Sequence, residues 1–245
     1  MLDENLHGLS QRDKDIFLLM AEFGGKTFNE VLARTFWHKK AVPIQQVRDR
    51  ISKIKKKYKI IRLVPTGLMT PRNAIAFTDF GKRWVQDEIN MEVGSFFLSP
   101  VTAWHGIYEQ IAYYWIKKSG RNVSRTIVKN WSLEHKHTPD LLFFHKEDKS
   151  KPVYVEIELN GKSPNRYSEI MSKCRRDKVY AIFYIFENEK KMKQIGRKLP
   201  IDNKIYITNI DDLILSVLTT GKIGAIKQID FIKKYEGNEN DRRKN

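Results

Sequence analysis

The segment from Val179 to Phe186 is an almost unbroken run of apolar side chains. A short run of that kind suits a strand covered on both faces, as at the centre of a buried sheet. Helical and strand patterns alternate around it. The spacing predicts an aromatic-rich helix over 101–118, carrying Trp104, Tyr108, Tyr113, Tyr114 and Trp115. Strands follow over 125–131, 139–144 and 152–159, then a helix over 165–176. Beyond the apolar strand come a basic helix over 187–199, a strand over 204–208 and a helix over 211–218. The order αβββαβ, then αβα, predicts an α/β domain with helices covering a sheet.

Residues 1–92 read differently, as short helices followed by a hairpin. Ser10, with Asp13 three residues on, predicts a capped helix start. Ile16, Phe17, Leu18, Met20, Ala21 and Phe23 follow, and Gly24-Gly25 stops the helix. Thr27 is the predicted cap of a second short helix with Phe28, Val31, Leu32 and Phe36. Pro43 opens a third helix, where its missing N–H is harmless. The apolar stripe of that helix is Ile44, Val47, Ile51 and Ile54. Two antiparallel strands over 60–64 and 74–78 are joined across the Pro65-to-Pro71 turn. Asp79 then caps a closing helix with Trp84 and Val85. Three helices and a two-stranded wing predict a winged helix-turn-helix.

Charge narrows the class of partner. The 245 residues hold 45 Lys and Arg against 29 Asp and Glu, a formal net charge of +16. Such a surface attracts polyanions, with nucleic acid the first expectation. Between Thr35 and Arg62 there are ten basic side chains and one acid, Asp49. The third helix is the most basic element. Gln45, Gln46, Arg48 and Arg50 suit base edges, and Lys53, Lys55, Lys56 and Lys57 suit the phosphates of double-stranded DNA. A solvated structural face or a protein-docking module would carry similar charge. No apolar run approaches the ~18 residues of a membrane span, and the polar N-terminus has no signal-peptide core. The expectation is a cytoplasmic protein without membrane insertion. Cys174 is the only cysteine, which excludes an internal disulfide and a cysteine-rich zinc knuckle.

A connector over 87–100, with Gly94, Ser95, Ser99 and Pro100, leads into a second domain over 98–235, and the polar segment 236–245 reads as a fraying tail. The chemistry of this domain lies on its second and third strands. Asp140 follows Pro139 at the start of one. Glu156 and Glu158 lie two apart on the next, so they share a face, with Val153, Val155, Ile157 and Leu159 on the other. The interval from Asp140 to Glu156 suits a hairpin that brings them together. Clustered carboxylates repel one another unless a cation joins them. Oxygen donors of this kind suit Mg²⁺ or Mn²⁺, which can activate water or polarise a phosphate. Each feature alone has a plainer reading: a solvated strand face for the glutamates, a turn for 138–140. His105 and Glu109 share a helix face, and His105 equally suits a buried or capping role. His135-Lys136-His137 reads as a loop or a phosphate contact rather than a metal site.

Pro139-Asp140…Glu156-Ile157-Glu158 resembles the motif of the PD-(D/E)xK nuclease superfamily. The resemblance implies a restriction-endonuclease-like αβββαβ core in which Asp140 and Glu156 bind the metal. Glu158 takes the place commonly held by Lys, as ligand or general base, with Lys162 supplying a displaced cation. Glu109 becomes an additional acidic residue in the helix before the sheet. The longer stretch Glu156-Ile-Glu-Leu-Asn-Gly-Lys-Ser-Pro-Asn-Arg-Tyr167 is similar to the E-x-E-L-x-x-K-S-x-x-R-Y motif of MobC-type relaxases, which mobilize plasmids. That similarity spans about residues 100–186, and the N-terminal part only by architecture. It implies a metal-dependent nick in one strand at a plasmid transfer origin, with a coupling protein and a transfer channel as partners. Arg166 and Tyr167 would face the site. Tyr167 would be a nucleophile forming a covalent DNA adduct or would only orient DNA, since a metal-activated water needs no tyrosine.

The expectation is therefore a DNA relaxase: an N-terminal winged helix-turn-helix before a nuclease-like core. A restriction or repair endonuclease of the same fold is the first alternative. A non-catalytic DNA-binding regulator of replication or transcription is the second.

Overall fold

The computed structural model describes residues 9–37, 43–90, 93, 100–125, 135–144 and 151–233. The chain is a mixed α/β protein with two separate sheets, and its contacts divide it into two compact units, Met1–Tyr114 and Trp115–Asn245. The division falls inside the helix Pro100–Lys118. Most of the expected connector, the continuation of the first expected strand to Trp131 and the tail over 236–245 lie outside the described residues. Among the described residues, no helix is long and apolar enough to cross a membrane.

The first unit runs α1 (Gln11–Glu22), β1 (Lys26–Thr27), α2 (Asn29–Thr35), α3 (Ile44–Tyr58), β2 (Ile61–Pro65), β3 (Asn73–Phe77), α4 (Asp79–Ile89) and the start of α5 (Pro100–Lys118). The antiparallel sheet has the order β1-β3-β2. Its core gathers Ile16, Phe17 and Met20 from α1, Leu32 from α2, Val47, Ile51 and Ile54 from α3, Ile75 and Phe77 from β3, and Trp84 from α4. The apolar stripe predicted for α3 is the face it buries, except that Ile44 is only half-buried.

Two expected caps move by one element of local chemistry. Thr27 does not cap α2. It lies in β1 opposite Ile75, and Phe28 holds the cap position without a side-chain hydrogen bond. The edge of β3 needs a backbone partner, and Lys26–Thr27 supplies it. Asp79 is the first residue of α4, and Thr78 caps it by accepting the Gly81 N–H at 3.0 Å. Gly81 has no room for a Cβ, which would stand 2.1 Å from the Ile60 carbonyl oxygen.

The cap at α1 does more than expected. Ser10 and Asp13 form a reciprocal capping box. Asp13, fully buried, also takes both arms of the Arg50 guanidinium, with Nε at 2.9 Å from Oδ1. This ion pair ties α3 to the start of α1. Burial alone would raise the Asp13 pKa, but the hydrogen bonds from Arg50 and Ser10 outweigh it and hold the carboxyl below its usual range.

The second unit contains the end of α5, β4 (Val123–Arg125), β5 (Leu141–Phe144), β6 (Pro152–Glu158), α6 (Pro164–Arg176), β7 (Ala181–Phe186), α7 (Glu189–Gly196), β8 (Ile205–Asn209), α8 (Ile210–Thr220) and β9 (Ile226–Lys227). The sheet order is β4-β5-β6-β7-β8-β9. β6, β7 and β8 are parallel, and the flanking pairs are antiparallel. β7 is the expected buried strand at the sheet centre. α6 and α7 pack Tyr167, Ile170, Met171, Cys174, Met192 and Ile195 against Tyr154, Tyr184 and Phe186. The two-residue strand β9 carries no alternation and was not expected.

Asp13→Ala is expected to lower the stability of the protein by about 3 kcal/mol, because it strands a partly buried Arg50 and opens the α1 cap. The Asp13 contribution is present above the unfolded carboxyl pKa of about 4 and is lost as pH falls through the depressed folded value. Urea unfolding at neutral and acidic pH checks both: the variant and the wild type should converge in acid.

Candidate active site

Every residue of β6 is buried, on both faces of the sheet. Glu156 and Glu158 share one face as expected, but it is not a solvated face: they are 7% and 2% exposed. Ionised carboxylates at that depth need partners. Each has a different one.

Asp140 stands just before β5, and its Oδ2 accepts the Ile157 N–H at 2.7 Å. The bond clamps the aspartate to β6 between the two glutamates. Glu156 Oε1 lies 2.7 Å from His137 Nε2. Burial raises the Glu156 pKa and the nearby Asp140 charge adds to the rise, while His137 and Lys162 pull against it. Glu158 forms an ion pair with Lys162, on the turn after the strand. The Lys162 N–H donates to Tyr167 Oη at 3.0 Å.

The histidine is held by a device of its own. Asp177, at the end of α6, accepts the Lys136 N–H at 2.8 Å and the His137 N–H at 3.0 Å. It also accepts the Tyr154 hydroxyl at 3.1 Å. One carboxylate thus fixes the loop that presents His137 to Glu156. His137 lies on a loop, as read from the sequence, and that loop brings its ring into the carboxylate cluster. Its place three residues before Asp140 was the available signal.

Tyr167 does not face an open site. It is fully buried in the core between α6 and the sheet. Burial raises its pKa, as does the negative charge of Glu158, to which the phenol hydrogen-bonds, so it stays neutral. Arg166 points elsewhere: it is exposed and pairs with Glu169 at 2.6 Å. Cys174 is buried, and burial with the charge of Glu156 pushes its pKa up to about 12, which leaves no thiolate nucleophile at neutral pH.

Tyr184 was not singled out by the sequence. It lies on β7 in register with Glu156, fully buried, and its hydroxyl has no hydrogen-bond partner among the described residues. Burial and the Glu156 charge raise its pKa.

Among the described residues, no three His, Cys, Asp or Glu side chains form a ready metal cage. The pair Asp140 and Glu156 nevertheless offers what Mg²⁺ takes from proteins: one or two hard carboxylates, with waters and substrate phosphates completing the shell. Their mutual repulsion is the kind that a divalent cation relieves. His105 and Glu109 lie on the part of α5 that belongs to the first unit, His105 half-buried and Glu109 only 5% exposed.

On α3, Gln45, Gln46, Arg48, Lys53, Lys55, Lys56 and Lys57 are exposed. Gln45 donates to Asp49 at 2.9 Å. Arg50 is committed to Asp13, which takes it out of the set expected at base edges. No model of a known protein family matches the chain, and no curated protein matches it.

The two tyrosines make opposite predictions. Tyr167→Phe removes an acceptor from the Lys162 N–H and a donor from Glu158, and should cost about 1–2 kcal/mol. Tyr184→Phe loses no hydrogen bond and should be neutral or slightly stabilising. Denaturant midpoints of the two variants check the contrast.

Proposed function

We propose that this chain is a divalent-metal-dependent DNA strand-cleaving enzyme with a DNA-binding first unit. The observation that carries the reading is the Asp140 carboxylate clamped onto the Ile157 N–H, between Glu156 and the Glu158–Lys162 pair. Carboxylate oxygens that suit a hard metal and one cation thus lie together where β5 begins and β6 ends, which supports the reading. The order α5-β4-β5-β6-α6-β7 supports a restriction-endonuclease-like core. The order α1-β1-α2-α3-β2-β3-α4, with its three-stranded sheet, supports a winged helix.

Asp140 and Glu156 would hold the ion, which supplies a Lewis acid at the scissile phosphate and lowers the pKa of water. Lys162, half-exposed and anchored by Glu158, offers positive charge where the phosphate gains negative charge. Tyr167 positions the backbone of Lys162. His137 orients Glu156. The exposed lysines of α3 neutralise DNA phosphates.

The motif from Glu156 to Tyr167 supports the narrower reading, a relaxase that nicks one strand at a plasmid transfer origin. A coupling protein and a transfer channel enter only with that resemblance. The buried, neutral Tyr167 favours attack by water over a covalent phosphotyrosine. Hydrolysis by water is also the chemistry of a restriction or repair endonuclease, which would cut both strands.

The test uses supercoiled plasmid carrying a candidate transfer origin, with Mg²⁺ or Mn²⁺ and then with chelator. Open circles that disappear with chelator and with Glu156→Ala support the relaxase. Linear product on any plasmid marks a general nuclease, and retarded but uncut plasmid marks a DNA-binding regulator. Lys162→Ala is expected to slow cleavage about 10²–10³-fold with binding retained. In a binding titration, Lys56→Ala should reduce the slope of log affinity against log salt by about one, uniformly across sequences.

A further inference from the structure

Asp177 closes the C-terminal end of α6, directly after Lys173, Arg175 and Arg176 of the last turn. An anion there faces the negative end of the helix dipole, where a cation is favoured. Helix stability therefore does not account for an aspartate at this place. Its side-chain hydrogen bonds lead to other elements. Oδ1 accepts the Lys136 N–H, and Oδ2 accepts the His137 N–H and the Tyr154 hydroxyl. Tyr154 is fully buried on β6, and its ring centroid stands 6.0 Å from that of His137. One carboxylate thus grips both the backbone of His137 and the phenol beside its ring.

The segment 137–140 is fixed at two points. At its end, Asp140 accepts the Ile157 N–H at 2.7 Å, a bond that does not involve α6. At its start, the hold comes from Asp177. Loss of Asp177 therefore frees the His137 end and leaves the Asp140 end clamped. The His137 ring lies 2.7 Å, Nε2 to Oε1, from Glu156, and the two side chains are only 13% and 9% exposed. A carboxylate that ligates a metal is oriented by its other hydrogen bonds, and losing such a partner costs about 10–100-fold in metal affinity. His137 is that partner for Glu156, and Asp177 decides whether its ring arrives.

We infer that Asp177 is a positioning residue for divalent-metal binding. It acts at one remove, by holding the loop that brings the His137 ring to Glu156. The inference rests on the reading of Asp140 and Glu156 as metal donors and deepens it. It makes the end of α6 part of the machinery that sets affinity for the ion.

The test is Mn²⁺ binding by the full chain without DNA, followed by the electron paramagnetic resonance of the free ion. Asp177→Asn replaces one acceptor oxygen by an amide donor that opposes a loop N–H, and should weaken Mn²⁺ binding about tenfold. His137→Ala should weaken it at least as much, and adding Asp177→Asn to His137→Ala should change little further. Tyr154→Phe takes one hydrogen bond from Asp177 but leaves both loop N–H bonds, and should stay within about twofold of the wild type. Circular dichroism checks that each variant is folded under the binding conditions. Unchanged affinity in Asp177→Asn, full additivity with His137→Ala, or an equal loss in Tyr154→Phe overturns the inference and leaves the metal reading standing. No Mn²⁺ binding by the wild type removes both. The expected pattern without plasmid nicking supports the positioning role and removes the nuclease.

Discussion

Strand β6 buries both of its faces, and two of its seven residues are glutamates. The polar architecture of the second unit answers that constraint. A carboxylate taken out of water is tolerated only with charge or hydrogen bonds around it. Glu158 meets Lys162 within the same turn of chain. Glu156 meets His137, and the loop carrying His137 is pinned by Asp177. Asp140 accepts the Ile157 N–H, and its charge bears on Glu156. The half-buried Asp140 beside the buried Glu156 sets up a repulsion of the kind a divalent ion would relieve, and the proposed chemistry follows from that pair.

The first unit divides its positive charge by a similar logic. Arg50 faces inward from α3 and saturates the buried Asp13 of the α1 cap. The remaining cations of α3 stay exposed. One arginine maintains the packing of two helices, and the others remain available to a polyanion. The two roles cannot be told apart by counting charges in the helix.

Much of the fold was legible. The strands containing Leu141, Val153 and Ile182, the helices flanking them and the stripe on α3 all follow from periodicity. The failures have identifiable causes. β1 and β9 have two residues each, too few to show alternation, and they exist because neighbouring strands need backbone partners. Thr78 and Asp79 both have side chains able to cap a helix, and the backbone turn decides between them. The glutamates of β6 were placed on the right face, but burial on both faces is invisible where polar and apolar residues alternate. Tyr167 belongs to a motif that suggested an open site, yet its ring lies at a buried helix position of α6.

What the sequence determined by itself is local: the order of the elements, the capping box of Ser10 and Asp13, the shared face of Glu156 and Glu158, and the surplus of positive charge. These depend on the fixed geometry of helix and strand over a few residues. The tertiary structure decided the partners. Arg50 finds Asp13 across 37 positions, His137 finds Glu156 across 19, and Asp140 finds the Ile157 amide across 17. Contacts of that span are set by strand order and helix packing, and a charged side chain carries no local mark of which distant group will lie beside it once both are buried.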